Sequence, residues 1–520
     1  MRGSTVSYGA LHTACPRLSL PPGTVPDLFR EFWETETFLL ESRKLLFLDT
    51  FEWGNWYEGH ILYASGDYYH LCLDDNGWPG ALVCREGGDG KRRFWQDFNS
   101  PEMRASLEGM MGLRALSTVA EASFRTYRTE LRNELGKIVC RVEWVAVYAG
   151  RDSETEIQHS CRIIPLKGYE REAGLVAERL TAQGAAPDKD GPMNTLFRLY
   201  GSAPRKYSLR PSFGIEPETT ARDAAGRIVR GMLEIIAMNL PGLIDDLDTE
   251  FLHDYRICIR KIRSALGLLK GVYPVEECSG IREELGNMAR QTNRLRDLDV
   301  YLLARTEYLE LLPAPLRPAM EEMFEDFAAE RKMEVRKVVT KIRSRTARNH
   351  LERIERFFCP ESRHEESPNA DVSVSPLVFR QIYRRYKKIR KASKGLSPET
   401  PDAVFHQIRI ECKKLRYLME FFSEIIPQES GDILQKQLRR LQGRLGDFND
   451  ASVQQKALLD YWNRKKPGPR LSLGLGGLIS LLYNRQLQTR GLVIQALDEF
   501  CGASTSAAFK RTFWQQAAAF

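Results

Sequence analysis

The chain has 520 residues, more than one ordinary hydrophobic core holds, so we expect two or three domains. Hydrophobic residues make up 42% and charged residues 28%, a composition typical of a soluble globular protein. The net charge of +7 is uneven. Residues 1–220 hold 26 Lys+Arg against 30 Asp+Glu (net −4), which leaves 76 − 26 = 50 against 69 − 30 = 39 (net +11) for residues 221–520. We therefore expect an acidic partner to bind the C-terminal part.

The ten cysteines occur singly, without a C-x-x-C pair or a Cys/His cluster at zinc spacing. This pattern predicts no metal site and no redox pair, and it is typical of reduced cysteines in a cytoplasmic protein. The longest apolar stretch, around Leu471 to Tyr483, is interrupted by glycines and too short to cross a bilayer. The sequence thus predicts no membrane insertion.

The N-terminal part is predicted to be rich in β-strands. Residues 1–26 contain many Pro, Gly and Ser residues, which predicts a loose leader. Residues 27–215 contain short β-rich runs separated by turn sequences, a spacing that favours antiparallel hairpins. The clearest runs are 45–48, 60–63, 68–73 and 138–147. One helix is predicted over 170–182, followed by a connector that ends near Pro211.

The C-terminal part, 217–505, is predicted to be all helical. Its periodic segments are 219–240, 247–272, 280–312, 315–349, 376–394, 400–426, 430–465 and 474–500. They form two sets of four, 219–350 and 376–500, with a polar linker from Cys359 to Pro376 between them. The predicted fold class is therefore α+β and multidomain, with an antiparallel β-rich domain before an all-α domain.

Four residues of one predicted helix recur in another at a constant shift of 153 residues: 406 − 253, 409 − 256, 413 − 260 and 416 − 263 all equal 153. The two sets are His253, Arg256, Arg260 and Arg263, and His406, Arg409, Lys413 and Arg416. At roughly 100° per residue each set spans about 80° of a helix, which makes a narrow positive stripe beside an apolar face. A single stripe is usually a solvated basic face. Duplication with the register kept instead favours a surface that holds a polyanion.

A second signature recurs at a shift of 150 in the helix after each stripe. Its members are Arg290, Arg294, Leu295 and Asp297 in the first copy, and Arg440, Arg444, Leu445 and Asp447 in the second. The i, i+4, i+7 spacing places two arginines and an aspartate on one helix face. Two interpretations stay open. The aspartate pairs with arginine only to fix its rotamer, or the pairing orients guanidinium groups toward phosphate oxygens.

A third basic stripe lies on the predicted helix 376–394. Arg380, Arg384, Lys387 and Lys391 fall within about 40° of one another, and Lys388 and Lys394 flank them. The interleaved tyrosines at 383 and 386 slightly favour single-stranded nucleic acid, since bases stack on aromatic rings. The two repeated stripes present only His, Arg and Lys, which favours contact with a phosphate backbone over contact with bases.

The C-terminal part closely resembles the CHAD family, named for its conserved-histidine α-helical domain. The resemblance lies in residues 252–256, 260–263, 295–300, 406–409 and 413–417, and it extends over about 217–505. It implies two four-helix bundles related by a pseudo-twofold axis, a central basic groove and binding of inorganic polyphosphate. It adds Lys261, Arg296 and Lys414 to the expected polyphosphate ligands. These also include five residues of the third stripe: Arg380, Arg384, Lys387, Lys388 and Lys391. The second copy has Gly446 in the place of Arg296, which excludes a side-chain phosphate contact there.

The N-terminal part is similar to the CYTH family of triphosphate-tunnel enzymes, through residues 48–51 and 166–169 before the helix. Active members begin with Glu-x-Glu-x-Lys, which supplies metal ligands and a phosphate-binding cation. Here the nearest stretch has Phe38 in the lysine position, so the domain is interpreted as a degenerate, inactive relative. Four charges remain that fit either a lumen or ordinary strand positions. They are Arg125, Lys137, Arg141 and Glu143.

Together these features predict a protein that captures inorganic polyphosphate electrostatically, with no catalytic residues, no cofactor and no metal ligand set. Calcium or magnesium is expected only as an ion carried with the polyphosphate. The predicted location is cytoplasmic, at polyphosphate granules, where the protein is targeted or regulates enzymes. Two alternatives stay open: a metal-dependent triphosphate or polyphosphate hydrolase in the N-terminal domain, and a nucleic-acid-binding protein, which is less favoured.

Overall fold

The computed structural model describes residues 17–20, 29–88, 92–150, 155–188, 191–201, 204 and 206–519. The chain divides into two compact units, Met1–Tyr207 and Ser208–Phe520. The first unit contains an antiparallel sheet and the second is helical, which confirms the predicted fold class.

The first unit contains one nine-stranded antiparallel sheet. Its strands are β1 (Arg17–Leu20), β2 (Glu34–Thr50), β3 (His60–Ser65), β4 (Tyr68–Asp75), β5 (Trp78–Gly87), β6 (Leu116–Arg132), β7 (Ile138–Ala149), β8 (Glu156–Pro165) and β9 (Ala186–Pro187). Their order is β5-β4-β3-β2-β6-β7-β8-β1-β9. Neighbours along the chain pair in β2-β3-β4-β5 and in β6-β7-β8, as expected for hairpins.

The two ends of this sheet approach each other. The turn before β5 accepts a hydrogen bond from Gly191 N at Asn76 O (2.7 Å), and the Trp78 indole donates to Asp188 Oδ2 (3.0 Å), just after β9. Strand β1 corrects part of the predicted leader, because residues 17–20 pair with β8 and β9. The rest of the predicted leader, 1–16 and 21–26, lies outside the described residues.

Within the described part of this unit there are four helices: α1 (Gly54–Tyr57), α2 (Pro101–Met111), α3 (Glu170–Ala182) and α4 (Pro192–Leu199). One apolar cluster joins the strands to α4, and its aromatic members include Phe47, Tyr63, Phe124 and Phe197. Helices α2 and α3 pack against separate clusters of strand residues. Burial of apolar surface against all three helices therefore accounts for most of the unit's core.

The second unit is built from helices α5 to α17. They are α5 (Ala221–Ile244), α6 (Thr249–Leu268), α7 (Val275–Gln291), α8 (Asn293–Leu303), α9 (Arg305–Leu311), α10 (Arg317–Ile342), α11 (Arg345–Phe357), α12 (Val374–Ala392), α13 (Asp402–Phe421), α14 (Gln428–Lys465), α15 (Pro469–Cys501), α16 (Ala503–Phe509) and α17 (Gln516–Ala519). A π-helix, Lys510–Gln515, connects the last two.

The helix boundaries differ from the predicted ones at local capping sites. The predicted helix 280–312 is divided into α7, α8 and α9, with the first break at Thr292. The predicted helix 315–349 is interrupted at Ser344, whose hydroxyl accepts a hydrogen bond from Ala347 N (3.2 Å) and begins α11. The sequence also missed α16, the π-helix and α17, which follow residue 501.

The two predicted helix sets share part of their core. Leu298 and Tyr301 of α8 and Phe327 of α10 belong to the same buried cluster as Leu458 of α14 and Leu478 of α15. Helices from 219–350 and from 376–500 thus pack against one another at this end.

The segment before α5 belongs to the helical unit, which places the division at residue 207 and earlier than the predicted 215. Glu424 explains this difference, because its carboxylate accepts hydrogen bonds from Phe213 N (3.0 Å) and Ile215 N (2.7 Å). These bonds and one from the Ser212 hydroxyl lower the pKa of Glu424 against the opposing effect of burial. Among the described residues, no helix is long and apolar enough to cross a membrane.

Candidate functional site

The repeated stripes lie on α6 and α13, each of 20 residues. Helix α6 is capped at its N-terminus by Asp248, whose carboxylate accepts hydrogen bonds from the backbone N–H groups of Glu250 and Phe251. The apolar residues at helical spacing are buried in both helices, as Tyr255 and Ile259 show for α6 and Ile408 and Leu415 for α13. Burial of one face therefore fixes the direction in which each stripe points.

The two stripes converge. Helices α6 and α13 are in contact, and the half-buried Lys413 of α13 lies in the positive field of Arg260 from α6. Burial, followed by the nearby guanidinium groups of Arg409, Arg260 and Arg416, lowers the pKa of Lys413 to about 8. We refer to Arg256, Arg260, Arg409, Lys413 and Arg416 as the α6–α13 cluster. Equivalent positions of the duplication thus meet across one interface.

Arg256 is held firmly at one side of the cluster. Its guanidinium donates to Ala289 O (2.8 Å), to the Thr292 hydroxyl (2.5 Å) and to Asn293 Oδ1 (2.9 Å). These bonds occupy the break between α7 and α8. Burial, together with the adjacent Arg260, lowers the pKa of Arg256 to about 10. Arg256 therefore stabilises the helix junction and also contributes to the positive field.

Lys261 corrects the sequence-based ligand set. It is only 4% exposed, and its ammonium donates to Leu209 O (2.7 Å) and lies 3.2 Å from Glu420 Oε2. Arg210 also lies 3.2 Å from this buried carboxylate, and Arg416 lies 3.6 Å from it. A buried and paired lysine is not available to a ligand, because removal of its partner leaves an uncompensated charge. Lys261 instead ties α6 to α13 and to the segment before α5.

Lys414 is also paired away from the cluster. Its ammonium lies 2.7 Å from Glu411, and Arg385 of α12 lies 2.8 Å from the same carboxylate. The matching lysines at 261 and 414 therefore meet different carboxylates, so the duplication does not extend to their ion pairs.

The second repeated signature is only partly available to a ligand. Arg294 donates to both carboxylate oxygens of Glu330, at 2.6 and 2.5 Å. The sequence suggested Asp297 as its partner, but α8 packs against α10, which brings Glu330 opposite Arg294. Arg296 lies 3.8 Å from Glu250. These contacts make Arg294 and Arg296 structural residues.

The remaining arginines of this signature are exposed. Arg290 and Arg444 are exposed, and so is Arg440, which lies 3.5 Å from Glu499. On α6, Arg263 donates to Arg282 O (3.1 Å). Burial and the charges of Arg282 and Arg290 lower the pKa of Arg263. Arg282 is a neighbour that the sequence missed, since it lies outside both repeats.

The two histidines have different surroundings. His406 is exposed, and its Nδ1 lies 2.9 Å from Asn449 Oδ1 of α14. His253 lies beside Glu250 and Asp254, and the possible metal-ligating atoms of the three are all within 4.8 Å of one another. The sequence predicted no such group, although the i, i+3, i+4 spacing on one helix was its signal. The second copy has Ala403 and Gln407 at the positions of the two carboxylates, so the group is not repeated.

The third stripe, which the sequence places among the expected polyphosphate ligands, lies on α12 and outside the α6–α13 cluster. Its members Arg380, Arg384, Lys387, Lys388 and Lys391 are exposed on α12. Helix α12 contacts α13 through the ion pair between Arg385 and Glu411. Glu411 precedes Lys413 by two residues, which separates their directions by roughly 200° around α13. The α12 stripe therefore lies on the far side of α13 from Arg260.

Charged strand residues of the first unit neutralise one another. Arg128 of β6 lies 2.6 Å from Glu143 of β7, and Arg141 of β7 lies 3.2 Å from Glu130 of β6. These ion pairs favour ordinary strand charges over a phosphate-lined lumen. Phe38 lies opposite Arg128 in the pairing of β2 with β6. Because its side chain is apolar, position 38 offers no cation to a ligand.

Residues 227–459, which include α6, α8, α12 and α13, match the family model described as CHAD domain. This part of the helical unit is therefore similar to the CHAD domain family, which is associated with polyphosphate. The antiparallel sheet of the first unit is consistent with a CYTH-like fold.

Two curated proteins of Mycobacterium tuberculosis are similar to this chain: "Uncharacterized protein MT2285" (strain CDC 1551 / Oshkosh) and "Uncharacterized protein Rv2226" (strain ATCC 25618 / H37Rv). Each is 24% identical over 291 residues, which is 55% of this chain and 53% of the relative. The chain thus spans about half the length of the curated relatives it matches.

Two solved structures are also similar to it. The CHAD domain from the plant Ricinus communis is 20% identical, with a TM-score of 0.48, over 56% of this chain and 96% of that one. PptA from Streptomyces chartreusis is 20% identical, with a TM-score of 0.41, over 53% of this chain and 98% of that one.

Proposed function

We propose that the helical unit binds inorganic polyphosphate at the α6–α13 cluster. The observation that carries the proposal is the contact between α6 and α13, which brings Arg260 near Lys413. Burial, followed by the charges of Arg409, Arg260 and Arg416, lowers the pKa of this lysine to about 8. Like charges brought together at a half-buried surface destabilise the unliganded protein unless an anion compensates them. A chain of phosphates compensates several of them at once.

The residues of the cluster are expected to contact phosphate in different ways. Arg260 and Arg409 offer planar guanidinium groups that match phosphate oxygens in pairs, while Lys413 acts as a point charge. Asp450 is only a weak competitor for Arg409, since it lies 3.6 Å away and is 62% exposed. Glu420 neutralises the charges of Lys261 and Arg210 beside the cluster. The positions of these two side chains therefore do not depend on a bound ligand.

Binding is expected to be coupled to proton uptake. Near pH 8 a substantial share of the Lys413 side chains is neutral, because the pKa is about 8. A bound polyanion favours the ammonium form and raises this pKa again. The protein therefore takes up part of a proton per binding event at pH 8 and less at pH 6.

The first unit is assigned no catalytic step. Its sheet packs Phe47, Tyr63 and Phe124 against α4, and Phe38 occupies the position of a phosphate-binding lysine in active CYTH enzymes. We interpret it as a CYTH-like domain that does not turn over triphosphate. Polyphosphate capture by the helical unit would place the protein at cytoplasmic polyphosphate bodies, with calcium or magnesium arriving as the counterion of the ligand.

The proposal is tested by isothermal titration of the full chain with long-chain polyphosphate. Arg260→Glu/Lys413→Glu reverses two charges of the cluster and should weaken binding at least about 100-fold, because two favourable charge pairs become repulsive. Lys332→Glu/Lys436→Glu is the matched control, since it changes the net charge equally at two exposed residues of α10 and α14. Equal loss in both variants would contradict a defined site.

A further inference from the structure

Helix α12 is an unusually basic surface. Between Val374 and Ala392 it contains seven Lys or Arg residues and no Asp or Glu. The buried residues Ile382, Tyr386 and Ile389 face the core, and the stripe from Arg380 to Lys391 points to the opposite side. These 11 residue steps extend over about 16 Å of helix. Such a row of cations attracts an extended polyanion.

An aromatic pair borders this stripe. The Tyr383 ring packs against Trp514 of the π-helix with 5.4 Å between ring centroids, and Trp514 is 48% exposed. The Lys387 ammonium lies 6.0 Å from the centroid of Tyr383. Beneath them Tyr386 is buried and stacks on Phe509 at 4.0 Å. The exposed Trp514 indole is therefore fixed by its contact with Tyr383 and lies next to the basic stripe of α12.

A cleft lies at the other end of the stripe. Its volume is about 310 Å³, at the lower end of the range for small-molecule sites. It is lined by Ser373, Pro376, Arg380, Gln381 and Arg384 among others. The surface thus combines a cleft, a row of cations and a stacking platform along one helix.

We infer that this face of α12 binds single-stranded nucleic acid, separately from the polyphosphate site. Cations along a track together with an exposed aromatic ring are the two elements of sequence-tolerant single-strand binding, in which bases stack and the backbone follows the charges. Polyphosphate has no ring to place on Trp514. The inference does not rest on the proposed function, because α12 packs on the side of α13 that faces away from Lys413.

The test measures fluorescence anisotropy of a labelled oligothymidylate of about 16 nucleotides, a typical single-strand site size, with the full-length protein. Trp514→Ala should weaken binding between about five- and 150-fold, the range for loss of one stacked base. Trp514→Phe should retain most of the affinity. Arg384→Glu/Lys387→Glu/Lys391→Glu should abolish measurable binding and leave polyphosphate affinity within about threefold of wild type.

Arg260→Glu/Lys413→Glu serves as the reciprocal control and should leave oligothymidylate binding nearly unchanged. Near-ultraviolet circular dichroism establishes that each variant keeps its tertiary structure. Three results would overturn the inference. They are wild-type oligothymidylate affinity in Trp514→Ala, equal loss of both ligands in the α12 and cluster variants, and binding of phosphatidylserine vesicles but not of oligothymidylate.

Discussion

Replacing Lys413 by methionine should stabilise the protein and weaken polyphosphate binding at the same time. The side chain is half-buried beside three arginines, and its pKa is lowered from 10.5 to about 8. Methionine keeps the length of the side chain and removes the charge that this surface disfavours. The charged form destabilises the folded protein at pH 7 by on the order of 1–2 kcal/mol, after allowance for solvent screening of a group that is only partly buried.

The pH dependence has a defined sign. The folded-state pKa lies below the unfolded one, so the unfolded chain binds more protons between about pH 8 and 10.5. The free energy of unfolding of the wild type should therefore gain a contribution from Lys413 as the pH rises through this window. Lys413→Met lacks this contribution, so its advantage should be largest at pH 7 and most of it should be lost by pH 10.

Urea unfolding at pH 7 and pH 10 measures this effect, and titration with polyphosphate at pH 7 measures the loss of affinity. Lys332→Met is the control, since Lys332 is exposed on α10 and its replacement should change stability by less than about 0.5 kcal/mol. A Lys413→Met variant that is less stable than wild type at pH 7, or that binds polyphosphate equally well, would refute the reasoning.

Three further predictions follow from the contacts. Glu420→Gln should destabilise the protein by about 3–5 kcal/mol in urea unfolding, because it leaves Lys261 buried without its carboxylate, whereas Lys261→Met/Glu420→Leu should recover most of that loss. Polyphosphate affinity should rise as the pH falls through about 8, because the pKa of Lys413 is about 8 and the polyanion favours its ammonium form. Lys413→Met should flatten this rise, and a flat wild-type profile would exclude the coupling. Addition of magnesium or manganese to the full chain should give no tripolyphosphate hydrolysis above background in a phosphate-release assay, and robust turnover would restore the enzyme interpretation.

The sequence was most informative where the pattern is local. The apolar positions of α6 and α13 and the repeated cations beside them follow from helical periodicity, so both helices and both stripes could be predicted. The convergence of Arg260 with Lys413 is a long-range property. Only the resemblance to a known family, and not the spacing itself, implied that the stripes share one groove.

Pairings between distant segments could not be predicted. Lys261 and Arg263 look alike in the sequence, but packing buries Lys261 against Glu420, 159 residues later (420 − 261), and leaves Arg263 half-buried. The partner of Arg294 is likewise Glu330 on another helix rather than the nearby Asp297. Charge and spacing give the direction of a side chain on its helix, but tertiary packing selects the carboxylate that it meets.

The surface of α12 also includes a residue that is distant in the sequence and could not be assigned to it in advance. Its cations and Tyr383 are visible in the sequence, but Trp514 lies 131 residues later (514 − 383), beyond the predicted helices. In the first unit, four residues of the predicted leader form β1, because they pair with the strands β8 and β9 on either side. Short strands of this kind have little pattern of their own.

The central claim is that phosphate capture depends on the two converging stripes, and the salt dependence of polyphosphate affinity tests it most directly. With about six to ten phosphates neutralised, log affinity should fall with log salt at a slope of roughly −4 to −7, using about 0.7 per contact by analogy with single strands. Arg260→Glu/Lys413→Glu should make that slope shallower by about 1.4 or more, at much lower affinity. A slope near zero for the wild type, or an identical slope and affinity in the folded variant, would contradict the account.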